Sequence, residues 1–255
     1  MQLHFRSYGS GEPLIILHGV FGSSDNWQTV GKDLSARYQV FLVDQRNHGN
    51  SPHSEEFDYN VMADDLLELM LNEGIDRAHL LGHSMGGKTA MTFATRYPER
   101  VHKLIVVDIS PRHYEPHHAR IFRAFRSLNL DTLKTRQEAD DQMAYRIPEF
   151  GVRQFILKNL SREGEKFVWK LNLDIIEKNA DKIGEALAED DWFNGHVLFI
   201  GGKESDYIQP ADHAEIKKHF PNAIIIMVPG AGHWVHAEQP KTLARLVTDF
   251  LLNEG

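Results

Sequence analysis

With 255 residues, no cysteine and a formal net charge of −8, the chain excludes disulfides, thiolate metal sites and a cysteine nucleophile. The acidic balance also disfavours a nucleic-acid partner, because phosphates call for a basic surface. Hydrophobic residues at 42% and charged residues at 25% suit one globular domain, or one domain with an insertion. No apolar run reaches the length of a signal-peptide core or a membrane span, so a soluble, cytoplasmic protein is expected.

In chain order, residues 3–8 alternate weakly and close on Gly9-Ser10-Gly11, a strand and a turn. Residues 14–17 form a short apolar run of the buried-strand type, and His18-Gly19-Val20-Phe21-Gly22 leaves its C-terminal end. Ser23-Ser24-Asp25 offers an N-cap for a helix reaching about Arg37. Residues 40–43 are the next buried strand, running into Asp44-Gln45-Arg46-Asn47-His48-Gly49-Asn50-Ser51. A helix over Tyr59–Asn72 follows, with Val61, Met62, Leu66, Leu69 and Met70 on its apolar face. Residues 78–81 read as a strand and 88–97 as a helix stopped by Pro98, with Gly82-His83-Ser84-Met85-Gly86-Gly87 between them. Residues 103–107 supply another strand.

Apolar runs that alternate with helices indicate a parallel sheet covered on both faces. The pattern changes after Pro111. As far as about Asp190 the sequence carries helical patterns and no strong buried strand. Ile121, Phe122, Phe125 and Leu128 share one helical face, with Arg120, Arg123 and Arg126 away from it; residues 132–147, 149–160 and 172–183 read as further helices. Strand-like runs return at 197–200 and Ala223–Val228 before a last helix over Pro240–Leu252. The expected architecture is an α/β core from residues 1–110 and 191–255, with 111–190 as a helical lid over the C-terminal edge of the sheet.

Two chemistries overlap at residues 82–89. Gly82-His83-Ser84-Met85-Gly86 is a Gly-x-Ser-x-Gly turn that lifts a serine hydroxyl above a sheet. A Cβ at Gly82 or Gly86 would crowd that turn. The same stretch, extended to Lys88-Thr89, satisfies the phosphate-binding pattern G-x-x-x-x-G-K-[ST], with the strand ending at Asp108 as a candidate magnesium partner. The rest of the chain favours the serine. Strand ends also present His18-Gly19-Val20, Asp44, Asp108, the Gly202–Asp206 loop and Gly230-Ala231-Gly232-His233, in the order Ser, Asp, His that a hydrolase elbow requires. A serine hydroxyl needs a base, and the base needs a carboxylate to fix its tautomer. Ser84 and His233 fill the first two roles, with Asp108 or Asp206 as the acid. Backbone N–H groups of Val20 and Met85 are the candidate oxyanion donors.

The set HGVFGS, DQRNHGNS, GHSMGGK, VVDISP and GAGHWVH resembles the α/β-hydrolases over essentially the whole chain, and more narrowly the small bacterial esterases of the YbfF type and their mitochondrial relatives. That resemblance implies the α/β-hydrolase fold, a mostly parallel sheet with helices on both faces and a helical cap. It implies hydrolysis of acyl esters or thioesters through an acyl-Ser84 intermediate, with His233 as base and no cofactor. It also implies that the acid is Asp108, at the end of the strand after the nucleophile helix. Many other α/β-hydrolases carry the acid one strand later, which makes Asp206 the alternative.

Other candidates receive plainer readings. Lys88 becomes a charge on the first turn of the nucleophile helix, and His236 a second choice of base. His18 and His83 shape their turns; Asp44 and Arg46 anchor a loop through charge-assisted hydrogen bonds. His113, His117 and His118 have a spacing that could hold a metal, but a solvated helix start is the preferred reading, and no metal is expected. Phe21 and Trp234 adjoin the catalytic loops as pocket or core. Arg112, Arg120, Arg123 and Arg126 could receive an anionic carrier such as acyl-CoA, against the wet side of an amphipathic helix. The same triad could serve a carbon–carbon hydrolase or a perhydrolase, and a hydrolase-fold ligand receptor is the non-enzymatic alternative. Ester turnover with burst kinetics separates a receptor from an enzyme.

Overall fold

A computed structural model describes residues 1–116 and 118–253. In chain order the core begins with β1 (Phe5–Tyr8), β2 (Pro13–Leu17), α1 (Gln28–Leu34), β3 (Gln39–Val43) and α2 (Tyr59–Asn72). It continues with β4 (Ala78–His83), α3 (Met85–Arg96) and β5 (Val101–Val107). Between β5 and the next core strand lie α4 (Ala119–Arg126), α5 (Arg136–Ala144), α6 (Phe150–Leu157), β6 (Leu160–Glu163), β7 (Lys166–Trp169), α7 (Leu173–Lys178) and α8 (Ala180–Ile183). The core resumes with β8 (His196–Gly202), α9 (His213–His219), β9 (Ala223–Val228), α10 (Val235–Glu238) and α11 (Pro240–Leu252).

Seven strands form one sheet in the order β1-β3-β2-β4-β5-β8-β9. Only β1 runs antiparallel to its neighbour, β3; the other pairings are parallel. The chain builds outward from β2 to β3, then crosses back to place β4 on the other side of β2. The loops after β2 and β4 therefore part at the C-terminal edge and leave a crevice there, where open α/β sheets bind ligands.

Alternate side chains of the central strands serve the two faces. Leu80, Leu104, Val106, Val197 and Phe199 pack with α2 and α3 on one face, while Leu81, Ile105, Val107, Leu198 and Ile200 pack with α1 and α11 on the other. Burial on both faces explains why these strands read as continuous apolar runs. A third apolar cluster joins Phe122, Phe125, Met143, Ile147, Ile156 and Phe167 of the segment after β5 to Val20, Phe21, Tyr59, Met62 and Met85 of the core beneath it.

That segment is not all helical, contrary to expectation. β6 and β7 form an antiparallel hairpin, turned at Gly164 with φ +62°. The helices expected over 132–147 and 149–160 are shorter, and 172–183 divides into α7 and α8 at Asn179. The helix after residue 23 opens with a tight turn over Ser24–Trp27, and α9 gave no signal in the sequence reading. The two crossings of this segment lie side by side: the Leu187 N–H donates to Pro111 O (2.9 Å) and the Tyr114 N–H to Gly184 O (2.8 Å). Among the described residues no helix is long and apolar enough to cross a membrane.

Candidate active site

Ser84 stands between β4 and α3 with φ +52° and ψ −119°, a backbone conformation that non-glycine residues rarely hold without a functional reason. Close packing enforces it. A Cβ on Gly82 would run into the Gly86 carbonyl oxygen, and one on Gly86 into the Leu17 carbonyl oxygen. The Ser84 N–H donates to Val107 O at 3.1 Å, which pins the bend to the neighbouring strand. The serine is only 7% exposed, yet it lines a cavity of about 180 Å³ together with Val20, Phe21, Tyr207, His233 and Trp234.

His233 leaves the β9 end of the sheet and meets Asp108 at the end of β5. Its Nδ1 lies 2.8 Å from Asp108 Oδ2. The same imidazole lines the cavity that Ser84 also lines. Asp108 is fully buried and left-handed, with φ +50°. It also accepts from the Gly202 N–H (2.9 Å) and the Ser205 hydroxyl (2.5 Å). Burial pushes its carboxyl up to about 7, against the pull of the Ser205 and Gly202 donors. Asp206 faces solvent, so the loop flagged by sequence contributes Ser205 rather than Asp206 to this network.

His18, His83 and His236 are buried packing groups. His18 accepts from the Gln45 N–H at Nε2 (3.0 Å), so Nδ1 carries the proton that Gly19 O accepts (2.8 Å). Burial and the neighbouring His233 hold His83 well below the usual imidazole range, and its Nε2 lies 2.8 Å from the His233 carbonyl. His236 is stacked on Trp27 with centroids 4.5 Å apart and is also held low, first by burial and then by His83. It has no carboxylate beside it among the described residues. Tyr207 stacks on His233 at 3.9 Å, an aromatic support the sequence did not single out.

Met85 opens α3, where the helix offers its amide no acceptor, and the Val20 N–H likewise meets none among the described residues. Both residues border the Ser84 turn. Phe21 and Trp234 line the cavity, but Phe21 also packs edge-on to Phe122 at 5.2 Å.

Lys88 departs from its expected reading. It is 1% exposed and donates to Pro111 O (2.9 Å), Arg112 O (2.6 Å) and Glu185 O (2.8 Å). An ammonium committed to three carbonyls is not a surface charge, nor is it free to cradle a phosphate. Asp44 accepts from the Ser24 and Asn50 amides, and Arg46 makes a two-pronged pair with Asp65, so each anchors its own part of the loop. Arg112, Arg120 and Arg126 pair with Asp212, Glu149, and Asp174 with Glu177; Arg123 is exposed. His117 lies outside the described residues, and among those described no group of three His, Cys, Asp or Glu could hold a metal ion.

A family model described as the alpha/beta hydrolase fold matches residues 12–240. The chain is 41% identical over 246 residues to the sn-1-specific diacylglycerol lipase ABHD11 of Mus musculus, covering 93% of this chain and 80% of that protein. It is 35% identical over 243 residues to the esterase YbfF of Escherichia coli, covering 95% and 94%. A solved structure of a marine microorganism esterase superposes with a TM-score of 0.95 at 43% identity, covering 98% of this chain and 99% of that one.

Proposed function

This chain belongs to the α/β-hydrolase family, and from that membership we propose that it is a serine hydrolase cleaving small, uncharged carboxylic esters through an acyl-Ser84 intermediate. One observation carries the reading: the His233 imidazole lies 2.8 Å from the buried Asp108 carboxylate in the cavity that Ser84 lines. His233 takes the Ser84 proton as Oγ attacks the acyl carbon, then returns it to the departing alcohol. Water, activated by the same imidazole, attacks the acyl-serine and restores the free hydroxyl. Asp108 fixes the tautomer and stabilises the imidazolium. The Val20 and Met85 amides receive the charge that builds on the acyl oxygen.

The mouse relative is named for diacylglycerol, a lipid, and the bacterial one as an esterase. The cavity supports short esters. At about 180 Å³ it resembles the volume that holds one benzene ring, so an acyl group of roughly six carbons fills it. Acyl-CoA is the weaker candidate, because three of the four lid arginines already face carboxylates. A thiol leaving group on a short, uncharged thioester fits the same site and remains within this reading.

A fluorophosphonate probe should label Ser84 and no other residue, and Ser84→Ala should abolish both labelling and the burst of p-nitrophenol from p-nitrophenyl butyrate. A labelled Ser84→Ala protein, or an intact wild type that takes up no probe, would sink this reading.

A further inference from the structure

We propose that Asn159, at the start of the hairpin in the segment above the sheet, is a positioning residue that sets the oxyanion loop from outside the core. The inference rests on the serine-hydrolase reading above. Phe21 follows Val20, the loop's proposed donor, and holds φ +62°, a left-handed backbone that a bulky aromatic does not adopt unaided. Groups from two different layers grip it. From the core, the His48 ring stands 3.4 Å from the Phe21 N–H, with its own Nδ1 turned to Arg46 O at 2.9 Å. Burial drives His48 down to about 3, so it stays a neutral acceptor. From above, the Asn159 amide donates to Phe21 O at 2.7 Å.

Asn159 is itself held firmly. It is 2% exposed, and its Nδ2 also reaches Ile156 O at 3.2 Å. Its backbone N–H donates to Ile156 O and its carbonyl accepts from Lys170, at 3.0 and 2.9 Å. The Phe21 ring is locked from the same side, against Phe122 and Phe125 at 5.2 and 5.5 Å. Val20, Phe21 and Met85 all pack in the upper apolar cluster rather than in either cluster of the sheet. Both proposed oxyanion donors therefore take their position in part from the layer that roofs the cavity, and Asn159 is its polar contact with the strained peptide. Removing that donor leaves Phe21 O unpaired and lets the loop relax toward an ordinary conformation, which swings the Val20 N–H out of line.

The test is kinetic. Asn159→Ala in the 255-residue chain should lower kcat for p-nitrophenyl butyrate about 10- to 100-fold, less than outright loss of an oxyanion donor, with KM changed less than about threefold. Affinity for a trifluoromethyl ketone, which binds as a tetrahedral oxyanion, should fall in step with kcat/KM, while affinity for butyrate, a product lacking that geometry, should hold. Asn159→Ser keeps a shorter donor and should lose less than the alanine variant; it is also the fallback if Asn159→Ala does not fold. A folded variant with wild-type kcat and wild-type ketone affinity overturns the inference, as does equal weakening of ketone and butyrate, which would mark Asn159 as merely structural. Both results presuppose a wild type that is labelled at Ser84. A wild type that is neither labelled nor active overturns this inference together with the reading beneath it.

Discussion

Asp108 combines two penalties, a left-handed backbone and a fully buried carboxyl, of the kind that functional sites concentrate, which supports the acid role proposed for it. Its raised pKa, about 7, fixes the sign of two effects. Below that pH the carboxyl takes a proton and no longer accepts from His233, so kcat/KM should fall as pH drops through about 7, the apparent value belonging to the Asp–His pair. For folding, the native state holds this proton more tightly than the unfolded chain, whose ordinary value is 3.8. The group's contribution to stability is thus present at low pH and lost as pH rises through about 7. Asp108→Asn should cost roughly 10³- to 10⁴-fold in kcat, yet melt at pH 8 no lower than wild type. A variant that loses activity by unfolding would contradict this. The placement of Ser84, Asp108 and His233 at the sheet edge was legible in the sequence because a strand end announces itself in an apolar run, whereas Asp206, the alternative acid, faces solvent. Ser205 and Asn159 were not legible, since a lone polar residue acquires its partner only when distant loops meet.

Among the elements, strands buried on both faces and helices with one apolar stripe were easily read, and β9, α2 and α11 keep their expected limits. The β6–β7 hairpin escaped because Ser161, Arg162, Glu163 and Lys166 dilute its alternation, leaving Leu160 and Phe167 as its buried apolar residues. Lys88 escaped for a different reason. Helical spacing says which face a residue lies on, not that a loop returning from residue 185 will cover it. This lysine joins α3 to both crossings of the upper segment. Lys88→Met removes the donor from one buried and two part-buried carbonyls, and an unmet buried acceptor costs about 1–3 kcal/mol. With some relaxation, a loss of about 3 kcal/mol is expected, lowering Tm by roughly 6–12 °C in calorimetry. Burial brings the ammonium down to about 7 from 10.5, so between these values the unfolded chain binds more protons and this group's contribution rises with pH. The methionine variant should lose that slope.

At the scale of the whole molecule, a single sheet edge gathers Ser84, His233 and Asp108, the proposed nucleophile, base and acid, from three strand ends, while the segment after β5 roofs the cavity. The size of that cavity predicts an acyl-length cutoff: kcat/KM for p-nitrophenyl esters should peak near four to six carbons and fall at least tenfold by sixteen. A flat profile would mean that the layer lifts to admit long chains. Because Arg120 is already paired with Glu149 at the surface and Arg123 lies on the exposed side of its helix, the double variant Arg120→Ala, Arg123→Ala should change KM for an acyl-CoA and for an aryl ester equally, within about twofold. The neighbouring crossings at Pro111–Tyr114 and Gly184–Leu187 carry a further consequence. Their junctions with the core are so close that the intervening stretch has the geometry of an exchangeable module, which a transplant from a cousin could replace without straining the sheet. Such a graft would succeed only if its underside brought a greasy patch for Val20, Phe21 and Met85 and a polar hand for the carbonyl of Phe21.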